Sequence, residues 1–450
     1  MSKFSLFKFT VFTPILTLIF GWPIAENSPG FILYGIFALI ASIALGYFLY
    51  LFLTNSEELN FLCSKRSKNF INRSLKIGLG LFLLVTITFG QRFDYKSYVL
   101  QWDLISRGLD PWGLDFIAES SRNAYGPIHN LFHIFNSISP ILPKVIFVLF
   151  LIYSIYLITF GELKFKEDIE KLNKKSLFIL TLFSPMVVIT GANYGVNDCF
   201  VTSLMIFSIY FQYSKNLKRK SLFSGIFIAL AGMTKIYPFI FGLAFIIRKR
   251  RIDWEYFISL VSSTLAIAYF SFLTWGPSSF TPFFFNSGRT GGGISFMNYI
   301  NQYFYNFDIN NFNTLLLVII AILNLIIIYF YRLDLLPSSI FMLASTLSVY
   351  KLGYSHFFLL FICIIPLLTR YLHSNKYKLS NETIKSMVLW ISFLNFYQIL
   401  YNCSGGMWNG DARYFREQIV PLVFLILTFN IFRKFITIIN SKNCYLSSID

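Results

Sequence analysis

Apolar residues run in blocks of roughly 20 from one end of the chain to the other, separated by short polar stretches. A block of that length crosses about 30 Å of hydrocarbon as an α-helix. The pattern predicts spans near residues 9–25, 31–53, 75–91, 141–160, 176–192, 198–213, 222–234, 236–247, 255–275, 313–331, 337–351, 356–371, 383–402 and 419–437. The two halves of 222–247 hold only about 12 residues each, too few for a perpendicular crossing, so they read either as two spans or as a re-entrant hairpin. The first block is followed at once by a second and lacks a small-residue cleavage site, so it reads as a retained span. The expected class is an all-α polytopic integral membrane protein of about 12 to 14 transmembrane or re-entrant helices, forming one transmembrane domain over residues 1–450.

Composition excludes a soluble domain. Of 450 residues, 56% are hydrophobic and only 13% charged, which leaves too little charge to cover a water-facing surface. Five scattered cysteines, with no metal-type spacing, point to neither a disulfide framework nor a zinc site. The net charge of +17 raises the question of a nucleic-acid partner. Its placement argues against one: basic residues gather in 54–76 (Lys65, Arg66, Lys68, Arg73, Lys76), 161–175, 214–221 (Lys215, Lys218, Arg219, Lys220) and 248–251. Alternating spans put all four segments on one side together with both termini. The charge excess is thus a positive-inside signature.

The conspicuous polar clusters then fall on the opposite, outer face. They are Asp94-Tyr95, Asn193 through Asn197-Asp198, Lys235-Ile236-Tyr237-Pro238, the glycine-rich stretch around Arg289, Tyr354-Ser355-His356, and Gly410-Asp411-Ala412-Arg413. Ionisable groups at span ends are costly unless used or paired, so their convergence suggests a site. The outer segment 92–140 is too long for a connector and reads as a catalytic loop. It predicts a short interfacial helix over 97–107, with Trp102 and Trp112 in the headgroup zone, then a turn at Tyr125-Gly126-Pro127 into a second short helix. A second outer loop, 276–312, carries Gly288-Arg289-Thr290-Gly291-Gly292-Gly293.

Each candidate has a plain alternative. Asp94, just beyond a span, is placed to take a proton from a hydroxyl nucleophile, or simply pairs with Arg92 or Arg122. Lys235 faces a phosphate as a point charge, or snorkels to the interface. Asn197 and Asp198 bind sugar hydroxyls, or Asp198 caps the next helix. Arg289 clamps a phosphate among glycines, or sits in a gating loop. His356 is a donor to ligand or an interfacial histidine, and Arg413 pairs with Asp411 or joins the site. No HExxH, GxSxG, P-loop or dinucleotide fingerprint occurs.

These residues resemble a known pattern. Asp94-Tyr95-Lys96, Gly108-Leu109-Asp110-Pro111-Trp112 and Tyr125-Gly126-Pro127 are similar to the first luminal loop of GT-C superfamily glycosyltransferases. The likeness is greatest to catalytic subunits of GPI mannosyltransferase I, and more distant to mycobacterial phosphatidylinositol mannosyltransferases. Ser184-Pro185, Gly195-Val196-Asn197-Asp198, Met233 through Pro238, and Lys351 through His356-Phe357 to Pro366 continue it in order over about residues 80–370. The resemblance implies a polyprenyl-phosphate sugar donor, a lipid-linked or glycan acceptor, inverting hexosyl (mannosyl) transfer, and an extracytosolic site with Asp94 as general base. Lys235, His356 and Arg289 would neutralise the departing phosphate, with Asn197, Asp198, Tyr95, Tyr125 and Arg413 around the sugar. One departure stands out: the family's acidic-x-acidic pair is here Arg92-x-Asp94, which makes a two-carboxylate metal site doubtful and no cofactor the expectation. No ER-retention signal is recognisable, so the expected setting is a bacterial inner membrane with cytoplasmic termini, or the ER if the source is eukaryotic. Two other classes stay open: a secondary transporter or lipid-linked-glycan flippase, and a glycan polymerase or ligase.

Overall fold

A computed structural model of the chain describes residues 2–13, 28–89, 94–119, 123–165, 171–248, 250–285, 292–294, 296–297, 300, 309–350, 352–374, 379–404 and 419–446. Helices dominate, and the described strands are only two residues each. Among the described residues, six helices are long and apolar enough to cross a membrane: Gly35–Leu53, Lys65–Thr88, Leu142–Phe160, Trp254–Phe283, Asn311–Tyr331 and Ser355–Ser374. The all-α polytopic class therefore holds.

The helix Asp198–Tyr213 is the hub. Nearly every side chain on it is buried, including Ser203, Ser208 and Gln212. A helix that is buried on all faces must lie inside the bundle. It packs between Leu142–Phe160 and Lys220–Gly232, and Lys220–Gly232 packs in turn on Trp254–Trp275. Small residues permit the close approach. Ser208 and Ser224 exchange hydroxyl-to-carbonyl bonds at 3.1 and 2.7 Å across one contact. At the next, a Cβ on Gly225 would lie 2.8 Å from the Leu260 nitrogen and the Tyr256 carbonyl. Side-chain bonds between helices replace the missing hydrophobic drive in lipid.

The expected span 176–192 is instead broken. Lys171–Leu182 ends at Ser184-Pro185, and the chain resumes with a 47° bend between Asn173–Leu182 and Pro185–Tyr194. Proline removes a helical N–H and clashes with the preceding turn. Ser184 caps the new start by accepting from Val187 N–H, and Asn395 Oδ1 takes the freed Met186 N–H at 3.1 Å. Val188–Tyr194 then winds as a π-turn, ending at Gly195 in the left-handed region (φ +66°). Lys144, fully buried, donates to Asn193 O at 3.1 Å and lays its stem where a Cβ on Gly195 would be. The pair expected over 222–247 resolves into Lys220–Gly232 and the short Tyr237–Leu243, hinged at Met233–Ile236.

The outer loop opens on a helix with a buried face. Its first helix is Asp94–Ser106, in which Tyr95, Tyr98 and Trp102 are wholly buried while Asp94, Lys96 and Leu100 stay exposed, so one face packs into the protein. Trp102 Nε1–H donates to His129 O at 3.0 Å. Trp112 is buried too, edge-on to Trp275 at 5.5 Å between ring centres. Both indoles thus pack inside the fold, and of the two only that of Trp102 makes a hydrogen bond among the described residues.

Candidate active site

Four segments far apart in sequence meet at the head of the hub helix. Asp198 opens that helix with no solvent exposure. Its Oδ2 meets Lys235 Nζ at 2.6 Å and His356 Nε2 at 3.5 Å, and Tyr237 OH donates to Oδ1 at 3.3 Å. Asn197 occupies the cap position without a side-chain cap bond, so neither residue serves as a simple N-cap. Lys235 turns inward to this carboxylate, with its side chain 10% exposed, and does not snorkel. Its ammonium also lies 4.9 Å from the Phe357 ring centre and 5.4 Å from that of Tyr125. Aromatic faces stabilise a desolvated cation there.

The hinge that places Lys235 is clamped by the outer loop. Gly126 N–H donates to Thr234 O at 3.0 Å, and Ile128 N–H to Met233 O at 3.3 Å. A Cβ on Gly126 would overlap the Met233 carbonyl oxygen, so glycine is needed for approach, its φ of −76° being ordinary. The Tyr125-Gly126-Pro127 and Met233-Thr234-Lys235 motifs are therefore two halves of one contact.

Behind this contact lies a neutral shelf. Asn197 Nδ2–H donates to His129 Nδ1 at 3.1 Å, while Asn197 Oδ1 accepts from Tyr98 OH at 3.4 Å. An amide nitrogen only donates, so Nδ1 is the acceptor and the imidazole proton resides on Nε2. His129 is packed among Tyr98, Trp102 and Tyr125 at 4.4 to 5.0 Å between ring centres. Burial, and then the charge of Lys235, hold its pKa well below the usual histidine range. Burial first, and nearby negative charge including Asp94 and Asp198, push the Tyr98 hydroxyl well up.

Asp94 begins the Asp94–Ser106 helix and is solvent-exposed. Its charge acts on both Tyr98 and His356, which puts it within electrostatic reach of the cluster. His356 stacks on Tyr354 (5.5 Å, 9° between planes), and Ser355 Oγ–H anchors its turn to Gln398 Oε1 at 2.6 Å. Just before it, Leu352–Gly353 pairs in parallel with Gly292–Gly293, so the end of the glycine-rich stretch is tied beside His356. Arg289 and Arg413 lie outside the described residues, as do Arg92, Arg122 and Asp411. Tyr95 is used elsewhere: its hydroxyl donates to Pro140 O at 2.7 Å and accepts from Lys144 N–H at 3.1 Å. Tyr237 and His129 were not singled out from the sequence as site residues. Their signals were Lys235-Ile236-Tyr237-Pro238 and the histidine three residues past Gly126.

Residues 131–350, a little under half of the chain, match the family model described as Glycosyltransferase family 87. The match indicates a membrane glycosyltransferase. It takes in Asn197, Asp198, Lys235 and Tyr237, while Asp94, Tyr125 and His129 precede it and His356 follows it. No curated protein matches the chain.

Proposed function

We propose that this glycosyltransferase moves a hexose from a polyprenyl-phosphate donor to a lipid-linked or glycan acceptor on the extracytosolic face, with inversion at the anomeric carbon. Mannose is the preferred sugar, on the strength of the GT-C resemblance. The observation that carries the reading is the meeting of Lys235 and His356 on Asp198, with the exposed Asp94 in electrostatic reach.

In this reading the acceptor oxygen attacks the anomeric carbon as its proton passes to Asp94. The bond from that carbon to the phosphate oxygen breaks on the opposite side, and the electron pair leaves with polyprenyl phosphate. The leaving phosphate gains one negative charge, and Lys235 and His356 answer it. Asp198 keeps both groups oriented before the donor arrives, so the phosphate competes with a carboxylate for the Lys235 ammonium. Tyr125 flanks that ammonium, and Asn197 holds Tyr98 and His129 behind it. Arg289 is a further candidate phosphate ligand, on the glycine-rich stretch whose end, Gly292–Gly293, pairs just before His356, and Arg413 is a candidate from the sequence. The basic loops support cytoplasmic termini, and a bacterial inner membrane is the preferred setting.

The test is transfer of radiolabelled sugar from polyprenyl-phosphate-mannose and polyprenyl-phosphate-glucose, in membranes bearing wild type or Asp94→Asn, with and without EDTA. Product with wild type and a loss of about 10²- to 10⁴-fold in the variant is expected, with EDTA having no effect. Equal transfer by both proteins removes Asp94 from the chemistry. No transfer from any donor, together with movement of a lipid-linked glycan across vesicles, would replace the transferase reading with a flippase.

A further inference from the structure

A cavity of about 800 Å³ opens on the outside of the bundle between the helices Lys65–Thr88, Leu142–Phe160 and Lys171–Leu182. Leu79, Leu149, Ile152, Tyr156 and Phe178 supply its apolar walls, while Lys174 and Lys175 are the charged residues that line it. Both lysines are half-buried. Lys175 Nζ gives one of its three protons to Asn72 Oδ1 at 2.8 Å.

Its location separates it from the transfer site. Leu142–Phe160 begins beside the hub helix's head, where Lys144 holds Asn193, and ends next to Lys174 and Lys175. At about 1.5 Å per residue that helix is roughly 28 Å long, so the lysines stand about one hydrocarbon thickness from Asp198. Between Leu149 and Phe160 the groove runs roughly 16 Å, close to half of that thickness. The groove is thus one leaflet deep, apolar along its length and positive at its mouth, on the side that carries the basic loops.

We propose that the groove is a binding site for an anionic glycerophospholipid of the leaflet facing the basic loops. Its acyl chain lies against Leu79, Ile152 and Phe178, and its phosphate meets Lys174 and Lys175. Lysine stems lie along apolar surface while the ammonium reaches the headgroup, which suits two adjacent lysines at the end of a greasy slot. A zwitterionic lipid offers the same chains without net charge, so the lysines select for the anionic headgroup.

The test is native mass spectrometry of the full-length protein in detergent, titrated with phosphatidylglycerol or phosphatidylcholine of the same chains. Wild type should hold one phosphatidylglycerol in preference to phosphatidylcholine. The double variant Lys174→Gln/Lys175→Gln should bind it roughly thirtyfold more weakly. Leu79→Trp, which fills the slot and leaves both lysines, should also lose the bound lipid, and its thermal unfolding serves as the folding check. Equal retention of the two lipids by wild type, or wild-type retention of phosphatidylglycerol by both variants, would overturn the proposal.

Discussion

Asp198 and His129 both border Asn197, one along the chain and one through a hydrogen bond, with 0% and 1% exposure, and the fold treats them in opposite ways. The carboxylate is surrounded by donors: Lys235, His356 and Tyr237. The imidazole receives a single side-chain bond, from Asn197, and is otherwise enclosed by aromatic rings, which keep it neutral. Burial of an ion demands a counter-ion, whereas burial of an imidazole needs only one partner per nitrogen at most. In the proposed mechanism the first arrangement stores a cation for the departing phosphate. In the same mechanism the second backs the site as a neutral ring that adds no charge of its own.

The comparison is broken most severely by Lys235→Met, which leaves Asp198 without its nearest cation. We expect a loss of about 3 to 5 kcal/mol in unfolding free energy, together with lost transfer. The combined Lys235→Met/Asp198→Asn variant should recover much of the stability and none of the activity. Thermal unfolding in detergent, run beside the transfer assay, checks both, and a stable single variant would mean that the pair is not what holds the hinge. A smaller effect is expected of Gly126→Ala, which drives a methyl into the Met233 carbonyl. Overpacking of this kind costs about 1 to 3 kcal/mol, and transfer should fall because the turn carrying Lys235 is displaced. Unchanged transfer would show that the clamp is structural alone.

Asn197→Ala removes one partner from both His129 and Tyr98. Unsatisfied buried groups cost about 1 to 3 kcal/mol, and the loss should be smaller in a His129→Phe background, where one orphan no longer exists. A double-mutant cycle measures this coupling. The mildest expectation concerns acid. The folded pKa of His129 lies below its unfolded value, so the unfolded chain binds the extra proton first. Stability contributed by neutral His129 is complete above pH of about 6.5 and falls as pH drops below that value. The slope reaches at most about 1.4 kcal/mol per pH unit, and His129→Gln should flatten it. An unchanged slope in that variant would assign acid sensitivity to another group.

Much of the helical layout was legible because lipid enforces a simple rule. The blocks 141–160, 198–213 and 255–275 match Leu142–Phe160, Asp198–Tyr213 and Trp254–Trp275 within a residue or so, since an apolar run flanked by polar turns has few other options. The break at Ser184-Pro185 was also written in the chain, but hydropathy alone runs straight through a proline whose neighbours are apolar. The loop helix Asp94–Ser106 was placed well along the chain, but how deeply one of its faces packs into the protein was not legible. Tyr95, Tyr98 and Trp102 carry both a ring and a polar tip, and that chemistry fits a headgroup zone and a buried polar network equally.

For the site, residue type and order along the chain singled out Asp94, Asn197, Asp198, Lys235 and His356 as chemistry-bearing positions. What one-dimensional order cannot hold is pairing. That Lys235 answers Asp198, that Gly126 clamps Met233 and Thr234, and that Tyr95 turns away to Pro140 are decided by which helices share a face. Composition and periodicity establish a membrane bundle with polar residues gathered at its ends, because hydrocarbon tolerates little else. Tertiary structure alone decides which of those residues meet, because a hydrogen bond or ion pair depends on ångström distances between segments that the chain keeps tens of residues apart.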